Sequence, residues 1–168
     1  MTNGATFKIN RTLTLGYTAD SNPSGSAQQY NTYGQVTVAG GSVMQVSNVV
    51  VDGGLNTVVF GQNRQNNITV SNATLIVSNS IGAAPGLTLD NLNFVANTSN
   101  NITLFANGAG PNVFVKSLAC SGTVPTTIKV GGTNIPGISS YPAQIPVISY
   151  VSVTAPYFKA DVSAVTET

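Results

Sequence analysis

Residues 68–80 (ITVSNATLIVSNS) align without a gap on residues 87–99 (LTLDNLNFVANTS), nineteen positions further along the chain. Apolar positions fall on apolar positions, and Asn72 falls on Asn91. The frame extends upstream to Met44 through Val51, with Asn48 at the asparagine position, and downstream to Val113 through Cys120, with Ser117 there. Repeats therefore start near residues 44, 68, 87 and 113. A unit this short cannot bury an apolar face alone and must stack on its neighbours. The repeat predicts an all-β chain whose body is a short parallel β-solenoid (β-helix-like), with like residues stacked along its axis. An asparagine at each corner would take the left-handed conformation and ladder its amide onto neighbouring backbone. An antiparallel β-sandwich or jelly roll is the alternative: its strands recur every 8–12 residues, and each repeat here holds two.

The rest of the chain reads as strand and turn. Residues 7–15 alternate apolar and polar up to Gly16, the mark of a half-buried strand. A loop rich in Ser, Asn, Gly and Pro follows, and residues 35–38 resume the pattern until Gly40 and Gly41 stop it. No window combines helical periodicity with matching caps. Beyond Gly122, Pro125, Pro136, Pro142, Pro146 and Pro156 punctuate the sequence, and a last alternating run covers residues 147–154. Residues 1–122 are expected to form the β-rich body, and 123–168 a cap or extended arm able to add a strand to a partner's sheet.

Composition bears on chemistry. Charged residues are 7% of the 168, the net charge is +1, and the six basic side chains form no run. That leaves no electrostatic footprint for nucleic acid. No apolar stretch of about 18 residues is present to span a membrane as a helix. Histidine is absent, which removes the commonest general base and metal ligand and rules out Ser-His-Asp and Cys-His arrangements. Cys120 is the single cysteine, so no intrachain disulfide forms; it is expected to be a buried, inert thiol. The acids Asp20, Asp52, Asp90, Asp161 and Glu167 show no gathering of the kind that glycoside hydrolysis needs. No catalytic residue, metal site or cofactor is predicted. Five glycosylation sequons, at Asn10, Asn67, Asn72, Asn97 and Asn101, are what an Asn/Thr-rich chain produces by chance. The amino terminus has neither the basic start nor the apolar run of a signal peptide.

A β-rich surface polar through Asn, Thr, Ser and Gln rather than through charge suits close docking against other subunits, because few ions need desolvation. The Met1 start, the Asn/Thr/Val/Gly body and the Pro-punctuated carboxyl end together resemble, in composition, the small β-rich decoration (cement) proteins of tailed-phage capsids. The resemblance spans the chain and rests on no diagnostic motif. It implies a non-enzymatic protein of the virion surface, assembled in the host cytoplasm, which bridges major capsid protein subunits and is often a homotrimer. The candidate interface residues are Phe7, Ile9, Tyr30, Tyr33, Val147, Tyr150, Val151, Val153, Tyr157 and Phe158. Two other readings stay open: an extracellular filament or pilus subunit that polymerises by donating a terminal strand, and a carbohydrate-binding adhesin module that stacks sugars on its tyrosines.

Overall fold

Val, Ile, Leu and Thr alternating with Asn and Ser favour half-buried extended chain, and the computed structural model is built from it. It describes residues 2–16, 32–51, 64–82, 88–106, 110–133, 144–154 and 157–166. The first strands are β1 (Thr6–Leu15), β2 (Thr32–Ala39), β3 (Val43–Val51), β4 (Arg64–Ser71), β5 (Thr74–Ile81) and β6 (Leu89–Ala96). They are followed by β7 (Asn101–Phe105), β8 (Val113–Gly122), β9 (Thr126–Thr133), β10 (Ile148–Thr154) and β11 (Phe158–Thr166). No helix is long and apolar enough to cross a membrane among the described residues.

The strands are visited alternately by two stacks. β1, β3, β5, β7, β9 and β11 pair in sequence in one of them. The other holds β2, β4, β6, β8 and β10. The pairings among the described residues are parallel, and a single pair, Ile81 with Val113, links the stacks. Neighbouring parallel strands need a crossover between them, and here each crossover contains a strand of the opposite stack. The links over residues 40–42, 72–73, 97–100, 123–125 and 155–157 are short; those over 16–31, 52–63, 82–88, 106–112 and 134–147 are longer. The short links hold two to four residues and the longer ones seven to sixteen, so most of the length variation falls in one set.

Parallel register stacks like on like. Ile68, Leu92 and Leu118 lie level in β4, β6 and β8, and Met44, Leu75 and Ile102 in β3, β5 and β7. All six are buried in one apolar cluster that both stacks share. Within β8 the inward alternation slips by one place: Val113 and Val115 are buried, Lys116 is exposed, and Leu118 and Cys120 are buried again. The neighbouring strands skip the same level, where polar groups take over from the ladder. Asp90 accepts a hydrogen bond from the Asn66 backbone N–H through Oδ2 at 2.9 Å, and Lys116 Nζ lies 2.7 Å from its Oδ1.

The asparagine corner is where expected in one respect and not in another. Asn72 has φ +48° in the two-residue link between β4 and β5. Its Oδ1 accepts the backbone N–H groups of Asn97 and Thr98, at 2.7 and 2.9 Å, from the following corner. Its expected partner, Asn91, does not stack on it. Asn91 lies within β6, level with Asn67, and its Nδ2 donates to Asn67 Oδ1 at 2.6 Å. The nineteen-residue frame runs across a corner in one copy and along an unbroken strand in the other, so the register is twenty-four there, from Asn67 to Asn91. The downstream match of Asn91 with Ser117 is the register found, while Asn48 belongs to the other stack and accepts from Ser80 Oγ at 3.3 Å.

Candidate docking surface

Residues 123–168 contain the end of both stacks. β9 pairs with β7, β10 with β8 and β11 with β9. Among the described residues β10 and β11 each have a strand partner on one side only. Tyr150 lies level with buried Val115, and Val153 with buried Leu118. The apolar columns of the core therefore run out to the last strand and stop there uncovered. Tyr150 is 50% exposed, Val151 84%, Tyr157 50% and Val162 60%. β10 carries no charged residue, and β11 carries Lys159 and Asp161.

This end is anchored from below. Phe158 is half-buried, and its ring meets Phe94 edge-on at 5.9 Å and 82°. The Tyr157 carbonyl accepts the Thr126 N–H at 3.0 Å, and the Val147 carbonyl accepts those of Asn112 and Val113 at 3.1 and 3.2 Å. Cys120 is buried, with its thiol pKa pushed up by loss of solvation and lowered in part by a hydrogen bond from the Tyr157 backbone. The thiol stays protonated and unreactive at neutral pH while that cover is in place.

An open groove of about 510 Å³ runs beside β9 and β11, lined by Asn101, Thr127, Lys129, Lys159, Ala160, Asp161 and Val162. Asp161 Oδ1 accepts from Ser163 N at 3.1 Å and from Ser163 Oγ at 2.7 Å, at the register shift of β11 on β9. Those bonds hold its carboxyl below the usual range, with Lys129 and Lys159 adding to the effect. Among the described residues no three of Asp, Glu and Cys gather as metal ligands would. Asp20, Asp52 and Glu167 lie outside the described residues.

The sequence-predicted interface residues divide by position. Tyr150, Val151, Val153 and Tyr157 share the carboxyl end, where Val147 and Phe158 pack partly against the core. Phe7, 49% exposed, and half-buried Ile9 lie on β1 at the opposite end. Tyr33 belongs to β2, level with Gln65, and Tyr30 lies outside the described residues. Val162 was missed; it stands at a register shift, where alternation no longer tells which side a residue faces.

No protein family, curated protein or solved structure matches this chain.

Proposed function

We propose that this chain is a β-solenoid structural subunit of a larger assembly, a virion-surface protein of the capsid-decoration kind, which acts by docking and not by catalysis. The alternating parallel stacks read as successive coils, β1 with β2, β3 with β4 and so on, with β11 as a final half coil. One observation carries the docking reading: the last coil presents Tyr150, Val151, Val153, Tyr157 and Val162 along sheet edges with little charge. Soluble repeat proteins close their ends with polar caps, and soluble sheets protect their edges with charge, proline or bulges. An end left apolar is fit for burial against a partner, at roughly 25 cal/mol per Å² of apolar surface. Strand addition to β10 or β11 would supply main-chain hydrogen bonds as well.

Co-sedimentation with particles assembled from the major capsid protein of the same genome tests this. The full chain should pellet with them, and Val151→Lys should bind at least about tenfold more weakly while its circular dichroism is unchanged. Undiminished binding by that variant would remove the last coil from the contact. Turnover of a substrate, abolished by replacing a single acidic residue, would overturn the non-enzymatic reading.

A further inference from the structure

Two of the six basic side chains, Lys129 and Lys159, come together on the outward face of β7, β9 and β11. Parallel register sets Asn101, Thr127 and Lys159 in one row across the three strands, and Thr103, Lys129 and Asp161 in the next. Ile102 and Val130, which alternate with these residues along β7 and β9, are buried, so both rows face away from the core. Members of a row stand about 4.8 Å apart, and the rows are separated by roughly 6.6 Å along the strands. All but Thr103 line the groove of about 510 Å³.

The charge of this groove is not spent internally. Lys116 is paired with Asp90, but Lys129 and Lys159 are exposed and form no ion pair among the described residues. Asp161 turns its Oδ1 to Ser163 N and Oγ. Two ammonium groups against one carboxylate leave the groove net positive. Beside them stand an amide and a hydroxyl: Asn101 Nδ2 donates to Ser99 Oγ at 3.3 Å, which leaves its Oδ1 to accept, and the Thr127 hydroxyl can do either. That combination suits a ligand bearing both an anion and hydroxyl groups. Two lysines are too few to hold nucleic acid, and only Ala160 and Val162 would meet an apolar ligand. An acidic peptide docking by strand addition would use the main chain at the open edge of β11 and space its side chains along the strands. A linear saccharide laid across the strands advances about one ring per strand, because the strand spacing is comparable to the length of a pyranose unit. Its hydroxyls then meet Asn101 and Thr127 while a carboxylate reaches Lys159, with Lys129 beside it.

We infer that this groove is a binding site for an acidic saccharide, a uronate-containing oligosaccharide laid across β7, β9 and β11 with its carboxylates on Lys159 and Lys129. The inference is independent of the docking reading, since the two rows face outward and make no use of β10. NMR titration of the full chain with trigalacturonate should give saturable shifts in the amides of Thr127, Lys129, Lys159 and Asp161. Lys159→Gln and Lys129→Gln should each weaken binding about fivefold or more, as the loss of an exposed charge-assisted contact does. Added salt should weaken it as well. Lys8→Gln, which removes an exposed lysine of β1 in the same stack, and Val151→Lys on β10 should each leave it within about twofold. No saturable shift, equal binding of uncharged maltotriose, or equal sensitivity to Lys8→Gln and Lys159→Gln would overturn the site. Sodium phosphate giving the same shifts with the same affinity would mark an adventitious ion only, and would overturn it too.

Discussion

Asn100 ties three stretches of chain together from a fully buried position. Its Oδ1 accepts the Ala73 N–H at 3.1 Å, and its Nδ2 donates to the Val70 carbonyl at 2.9 Å and to Thr126 Oγ1 at 3.4 Å. Asn100→Ala strips partners from groups that water cannot reach, so a loss of about 2–3 kcal/mol in urea unfolding is expected. Gly122 is constrained by space and by backbone, with φ +111° and the Ala96 carbonyl where a Cβ would sit. Gly122→Ala should cost about 2 kcal/mol or more in the same measurement. Asp161 gives the pH case. Its folded pKa is lowered, by the two Ser163 bonds first and by Lys129 and Lys159 last. The stability it contributes is therefore present above its unfolded pKa and lost as pH falls through the folded one. An NMR titration of the carboxyl should show a midpoint below 3.8, and Ser163→Ala should move it upward. The sequence exposed Asn72 as a corner residue, because few residues other than glycine and asparagine tolerate its φ. Asn100 carried no such signal: its role comes from Val70, Ala73 and Thr126 converging on it, and those contacts are long-range.

At the scale of strands, β10 and β11 are held more lightly than the strands beneath them. Along β10 only Ile148 is even half-buried, whereas β6 is buried at every inward position. Removal of residues 148–168 should leave the rest folded and uncover Cys120, whose thiol the Tyr157 backbone bonds. A thiol reagent then reports the change, with slow modification of the full chain and fast modification of the truncated one at equal circular dichroism. A truncated chain that does not fold would make β10 and β11 part of the core instead. Strand positions were legible because alternation is local: residues 7–15 and 147–154 lie close to β1 and β10, and Gly16, Gly40 and Gly41 end strands with positive φ. Register was less legible. The longer links, such as 52–63 and 82–88, differ in length from one crossover to the next, so no constant period survives in the sequence. An alphabet dominated by Asn, Thr, Ser and Val also lets a wrong frame match almost as well as the right one.

For the whole molecule, parallel order and alternating stacks leave β1, β2, β10 and β11 each with a strand partner on one side among the described residues, and these strands differ in charge: β1 carries Lys8 and Arg11, and β10 carries no charged residue. The amino-acid sequence alone was enough to determine that the chain is β-structured and that Asn72 and glycines such as Gly16, Gly40 and Gly41 end its strands. Those properties follow from backbone preference and side-chain alternation, which act between residues near in sequence. Which strand lies beside which, the pairing of Asn91 with Asn67, the polar level at Asn66, Asp90 and Lys116, and the apolar carboxyl end were decided by the tertiary structure. They depend on closing links of unequal length, and burial counts only what the completed stack leaves without a neighbour.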